Sequence, residues 1–120
     1  MERGNIMKNA LLTLILGLCA TSAIAHSSLS STTPTNKGII TKIPTEILLN
    51  FKGKIRLTRV EMTHANHQSV DLDLSGHDGF TLDYAVPLVA MGSGPYSIDW
   101  RGLSADGHAL SGSFNFIVED

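Results

Sequence analysis

The chain has 120 residues, of which 42% are hydrophobic and 17% charged, with a formal net charge of −2 at pH 7. A chain of this length forms one small domain, and its slightly acidic balance argues against nucleic acids and anionic membrane surfaces as partners. The single cysteine, Cys19, excludes an intramolecular disulfide framework.

The first 25 residues have the pattern of a secretory signal peptide. Arg3 and Lys8 supply a positive start, residues 10–18 form an apolar run, and residues 23–25 form an Ala-Ile-Ala cleavage site. The run is too short for a transmembrane helix, which needs about 20 apolar residues. We therefore predict export to the periplasm, with no membrane insertion after cleavage.

Cleavage is expected after Ala25, whether translation starts at Met1 or at Met7. Lipid attachment at Cys19 is the rival processing route, but the bulky Leu18 stands where that signal wants a small residue. The mature domain would then comprise residues 26–120 and contain no cysteine.

The mature domain has no convincing helical periodicity. Short β-rich runs alternate with turn residues, at the spacing typical of an all-β sandwich. We predict strands at about residues 28–33, 46–51, 55–63, 70–74, 80–84, 94–101 and 110–118. Seven short strands in one small domain predict an immunoglobulin-like antiparallel β-sandwich with Greek-key connections.

Side-chain alternation adds detail to two of these strands. In the third, Ile55 and Leu57 lie on one face but Val60 and Met62 lie on the other, which indicates a β-bulge. In the sixth, Trp100 shares a face with the other large apolar residues and is expected to lie in the core. Lys52-Gly53, between the second and third predicted strands, is expected to form a tight turn.

His26, Asp106 and His108 form the main candidate site. As the amino-terminal residue, His26 would hold one metal through both its α-amino group and its Nδ1. If the strands run alternately up and down, the mature chain starts at the same end as the loop of residues 104–109. His108 would add a third nitrogen and Asp106 an oxygen. That set suits copper(II), although zinc can use the same atoms in a tetrahedron.

These residues also have a simpler interpretation. Asp-Gly is a common hairpin turn, in which Gly107 supplies a positive φ. His108 can be an ordinary surface histidine, and His26 can be merely the residue at which cleavage falls. From these residues alone both interpretations stay open.

A second metal site would use Met62, His64 and His67 if their loop curled around an ion. The simpler expectation is a solvated hairpin tip with two exposed histidines. His77, beside Asp78-Gly79, is expected to be a turn residue.

The mature sequence resembles the CopC copper-resistance family over nearly its whole length. The matching residues are His26, 29–34, 43–44, 47–51, 94–101, 104–108 and 111–114, with Phe116 and Val118. The resemblance implies a periplasmic β-sandwich that binds copper(II) through His26, Asp106 and His108.

Two features depart from the family pattern. Some members place an acidic side chain just after the phenylalanine of the second strand, whereas Lys52 follows Phe51 here. Others carry a methionine-rich loop for copper(I), but residues 61–68 contain a single methionine. The resemblance therefore does not imply a dedicated copper(I) site.

The family resemblance implies a copper(II) carrier or buffer, not an enzyme, with an inner-membrane copper transporter as a candidate partner. One alternative is a copper-dependent redox enzyme, because polysaccharide monooxygenases use a similar amino-terminal histidine brace. An equatorial Asp106 would disfavour oxygen activation there. The other alternative is a metal-free interaction module that uses the edges of the sandwich.

Overall fold

The computed structural model describes residues 28–120, which form seven β-strands and no helix. The strands are β1 (Leu29–Thr33), β2 (Gly38–Ile40), β3 (Glu46–His64), β4 (Val70–Asp71), β5 (Thr81–Pro87), β6 (Gly94–Ser104) and β7 (Ala109–Val118). Within this described range, no helix is long and apolar enough to cross a membrane.

The long strand β3 connects the two layers of the sandwich. Its first part pairs with β1 and β5, and its second part pairs with β6 and briefly with β4. β7 lies beside β6, and β2 closes that layer. The predicted all-β sandwich is confirmed, although β2 runs parallel to β7 while the other described pairs are antiparallel.

The predicted tight turn at Lys52-Gly53 was wrong. The two predicted strands on either side of it are one continuous strand, β3, whose pairing with β5 is irregular between Asn50 and Ile55, and such an irregularity bends a strand. Along one edge β3 changes partner from β1 to β6, while its pairing with β5 on the other edge skips from Asn50 to Ile55. The chain does not reverse at the bend. It continues in the same direction and pairs with a new neighbour.

The bulge predicted in the same strand is confirmed. Pairing with β6 shifts between Leu57 and Arg59, so that Thr58 is an extra residue on β3. The extra residue reverses the alternation of side chains. Leu57 before it and Val60 after it are therefore both buried.

Other strand ends differ from the prediction. The short β2 was not predicted, and it depends on pairing with the distant β7. Only Val70 and Asp71 of the predicted strand 70–74 are β-structure, although Leu72 is buried and its N–H donates to the Val60 carbonyl at 2.8 Å. β5 begins at Thr81 and continues to Pro87.

Trp100 lies in the core, as predicted, with 2% of its surface exposed. Its ring meets the ring of Phe51 edge-on, with centroids 5.1 Å apart. On its other side it lies against Gly112, its register partner in β7. A Cβ at Gly112 would come within 2.8 Å of the indole Cζ2. The indole ring therefore fits in this position only because residue 112 has no side chain.

We expect Gly112→Ala to lower the free energy of unfolding by about 1–3 kcal/mol, because the added methyl group overpacks the core against Trp100. Denaturant unfolding followed by Trp100 fluorescence measures this change. Gly79→Ala is the matched control, since a Cβ there meets nothing within 4 Å. Equal losses in the two variants would contradict the packing argument.

Candidate metal-binding site

Two chain segments meet along one edge of β3, at its bend. β1 starts there, and the Lys52 N–H donates to the Ser28 carbonyl at 2.9 Å. β6 ends there, with Ser104 opposite Ile55. Thr81 of β5 also pairs with Ile55 and so occupies the opposite edge of β3. β1 and β6 therefore share the remaining edge, end to end.

This arrangement fixes the distance between the start of the described chain and the candidate loop. Ser28 and Ser104 lie beside positions 52 and 55, which are three residues apart, or about 10 Å along a strand. The loop of residues 104–109 therefore begins close to the point where the chain enters the sandwich.

The loop is a tight turn between β6 and β7. The Ser104 N–H donates to the His108 carbonyl at 2.9 Å, and the Gly107 N–H donates to the Ser104 carbonyl at 2.9 Å. Gly107 has a φ of 89°, which a residue without a Cβ adopts without strain. The predicted Asp-Gly turn is confirmed, and it places residues 106 and 108 on the rim of the sandwich.

Asp106 and His108 contact each other directly. His108 Nδ1 lies 2.9 Å from Asp106 Oδ2, and the two side chains are 78% and 68% exposed respectively. Ser104 Oγ donates to Asp106 Oδ1 and accepts the His108 N–H at 3.1 Å. The loop thus holds two of the three predicted ligands together in a solvent-accessible position.

The Asp106–His108 contact determines which imidazole nitrogen faces outward. In the neutral ring, Nδ1 carries the proton that it donates to the carboxylate, and Nε2 keeps its lone pair. A carboxylate that orients a histidine in this way is a common feature of metal sites. His108 Nε2 is therefore the nitrogen available to a ligand.

The pKa of Asp106 is lowered from its ordinary value of 3.8, mainly by the hydrogen bond from Ser104 and then by that from His108. The Asp106 carboxylate therefore binds a proton less readily in the folded protein than in the unfolded chain. The resulting stabilisation is present above pH 3.8 and is lost as the pH falls through the lowered pKa.

The third predicted ligand, His26, lies outside the described residues. Between residues 28 and 120, no group of three or more His, Cys, Asp or Glu side chains is arranged to hold a metal ion. Asp106 and His108 are therefore the two predicted ligands that the described residues supply.

The expectation of two exposed histidines at the 61–68 loop was wrong for His64. His64 is 6% exposed, and its Nε2 donates to the Ser93 carbonyl at 2.8 Å. Gly94 allows this approach, because a Cβ there would lie 3.1 Å from Nε2. His64 follows Met62 on the inward side of the bulged strand, and Met62 is fully buried. His67 alone of the two histidines is exposed.

His77 follows the turn at residues 75–76 and is half-buried. Its Nε2 donates to the Ala85 carbonyl at 3.1 Å, and its ring meets the ring of Tyr84 edge-on at 5.2 Å. The histidine thus fixes the turn against β5, which fits the structural role expected for it.

Sequence reasoning missed Ser104. Its hydroxyl contacts both Asp106 and the backbone of His108, so it orients the loop. The available signal was a serine two residues before an Asp-Gly turn, since serine side chains often bond to nearby turn residues.

We expect Ser104→Ala to raise the Asp106 pKa toward 3.8, because the variant removes the largest of the hydrogen bonds that lower it. NMR titration of the Asp106 carboxyl carbon measures the shift. Ser104→Thr keeps the hydroxyl and should titrate like the wild type. A pKa unchanged in the alanine variant would show that the serine does not hold the carboxylate.

Known proteins are similar to this chain over the whole sandwich. The CopC domain family model matches residues 29–119. Copper resistance protein C of Escherichia coli is 26% identical over 135 residues, covering 96% of this chain and 99% of that protein. Copper resistance protein C of Pseudomonas syringae pv. tomato is 28% identical over 111 residues, covering 85% and 87% respectively.

Solved structures have the same fold. CopC from Methylosinus trichosporium OB3b aligns with a TM-score of 0.66 at 21% identity, over 78% of this chain and 94% of that one. PcoC, a methionine-rich copper resistance protein from Escherichia coli, aligns with a TM-score of 0.55 at 25% identity, over 79% and 100% respectively. The family match includes all seven strands and the loop of Asp106 and His108, and the chain therefore belongs to the CopC family.

Proposed function

We propose that this protein is a periplasmic copper(II)-binding protein that acts as a carrier or buffer in copper homeostasis or resistance. Its family and the names of its relatives support copper as the cargo. The single observation that carries the proposal is the Asp106–His108 pair, held on an exposed turn beside the point where the chain enters the sandwich.

The proposed ligands are the α-amino nitrogen and Nδ1 of His26, Nε2 of His108 and a carboxylate oxygen of Asp106. Cleavage after Ala25 would leave only Ser27 between His26 and Ser28. Two residues span at most about 7 Å, and the histidine side chain adds to that reach. The chain is thus long enough for His26 to reach the loop about 10 Å away.

The chemistry of this donor set fits copper(II). Three nitrogens and one oxygen suit its tetragonal geometry. Each carboxylate oxygen has two lone pairs, so Asp106 can accept a hydrogen bond from Ser104 and still bind a metal. Ser104 would then hold Asp106, and joint binding of one ion by Asp106 and His108 Nε2 would replace the present contact between Asp106 and His108 Nδ1, because the two ring nitrogens point in different directions.

The positive charge of Lys52 favours release of the metal ion. Its N–H bonds to Ser28, so this cation lies next to the chain entry instead of the acid found in some family members. A positive charge there opposes the charge of bound copper(II) and weakens its binding. Weaker binding suits a carrier that must give up its cargo, for which we propose an inner-membrane copper transporter as the recipient.

The donor set also favours a carrier over a redox enzyme. A carboxylate in the fourth equatorial position occupies the place where oxygen would bind during activation. The position of Asp106 beside His108 in the loop supports it as the proposed fourth ligand.

The free amino terminus of His26 is the basis of the first test. We expect the protein that begins at His26 to bind copper(II) tightly, with a nitrogen-rich EPR spectrum. Acetylation of the His26 amine should weaken binding by about a hundredfold, because the amine–imidazole chelate is lost. Both forms should melt at the same temperature without copper. Equal copper affinities would remove His26 from the site.

A second test uses the charge at position 52. We expect Lys52→Glu to tighten copper(II) binding by about tenfold, since two unit charges change near a divalent ion. Competition titration against a copper chelator measures the affinity. Lys42→Glu makes the same charge change near Thr33, at the other end of β1, and should leave the affinity within about twofold. The same gain in both variants would indicate only an effect of net charge.

A further inference from the structure

A row of three cations follows the outer face of β3 across its bend. Lys52, Lys54 and Arg56 are all exposed and alternate with the inward-facing Phe51 and Ile55. Neighbours on one face of a strand are about 7 Å apart. These three residues account for a third of the nine basic residues in the chain, which is acidic as a whole.

Within residues 28–120, none of the three cations forms an ion pair. Arg59, farther along the same strand, shows the contrast, because it pairs with Glu61 at 3.3 Å and with Asp71 at 3.0 Å. Unneutralised like charges at this spacing repel one another. The row therefore presents a charge that a ligand of opposite sign would balance.

Exposed apolar side chains flank the row on β5. Phe80 and Leu82 are 45% and 40% exposed, on either side of Thr81, the register partner of Ile55. The Tyr84 hydroxyl fixes this segment against β3, since it lies 2.8 Å from the Ile55 carbonyl and 3.0 Å from the Gly79 carbonyl. Protein interfaces typically combine an apolar core with a polar rim.

We propose that this surface, formed by Lys52, Lys54, Arg56, Phe80 and Leu82, docks an acidic segment of a partner protein. The cations complement carboxylates of the partner, while Phe80 and Leu82 bury its apolar side chains. Clusters that recognise anionic lipids typically contain about 4–8 basic residues, more than are present here. The net acidity of the chain also disfavours nucleic acid.

The surface adjoins the proposed metal site. Lys52 bonds to Ser28 where the chain enters, and Ile55 lies opposite Ser104 where the metal-binding loop begins. A docked partner would therefore lie beside the copper ligands. A role of the docked partner in copper transfer rests on the proposed function, whereas the docking itself does not.

The test measures binding of a fluorescent peptide of Asp, Ser and Leu to the exported, metal-free protein by anisotropy. A matched peptide with Asn for each Asp should bind about tenfold more weakly, and added salt should weaken the acidic peptide's binding. The variant Lys52→Gln/Lys54→Gln/Arg56→Gln should also lose about tenfold in affinity. Phe80→Ser/Leu82→Ser should speed dissociation, because it removes the apolar contacts.

The control variant is Lys37→Gln/Lys42→Gln/Arg101→Gln, which removes the same charge elsewhere and should bind the acidic peptide within about twofold of the wild type. An equal loss of peptide affinity in the control variant would show that the affinity depends only on net charge, and it would overturn the proposal. Binding to phosphatidylglycerol vesicles without binding to the peptide would overturn it in favour of a membrane.

Copper titration of the same variants separates this proposal from the proposed function. If the wild type binds the acidic peptide selectively but takes up no copper, the proposed function fails and the docking surface stands. If copper binds tightly but the two peptides bind equally, the docking surface fails alone.

Discussion

The change of strand partner along one edge of β3 is the constraint on which the candidate site depends. Before the bend that edge pairs with β1, and after it with β6, so the start of one strand and the end of the other meet there. Backbone hydrogen bonding explains why β1 and β6 come together, because an unpaired edge of β3 in the sandwich would cost free energy. The chain entry and the loop of Asp106 and His108 are neighbours for this reason, although some 80 residues separate them in sequence.

The candidate site is organised by short polar contacts in water. Asp106 and His108 are mostly exposed, so their contact contributes little to folding, as is usual for surface ion pairs. The contact matters for geometry, because it fixes the orientation of the imidazole, and Ser104 fixes the carboxylate in turn. A chelate at the amino terminus would then supply the affinity that such an exposed pair lacks.

Side-chain alternation predicted the faces of the strands well and their partners poorly. The bulge at Thr58 and the core position of Trp100 were both predicted, because burial follows the local pattern of residues. The bend at Lys52 was mistaken for a turn, since only long-range pairing decides whether a chain reverses there. The burial of His64 was missed although it continues the inward face of the bulged strand, because its burial depends on Ser93 and Gly94 in a distant segment. Of the predicted ligands, Asp106 and His108 lie together, whereas His26 stays a prediction.

The exposure and the charge of the residues at the bend are consistent with the proposed role as a carrier. A buried copper site would have to open before it could release its ion, whereas the exposed Asp106–His108 turn is accessible to a second protein. The cations of β3 would bring acidic groups of that protein to the same edge, and would at the same time weaken the hold on copper(II). Binding of an acidic partner would neutralise those cations, so docking alone would tighten copper binding and transfer would require the partner's own ligands. A partner that docks but lacks copper ligands should therefore slow the release of copper, and one that carries them should speed it.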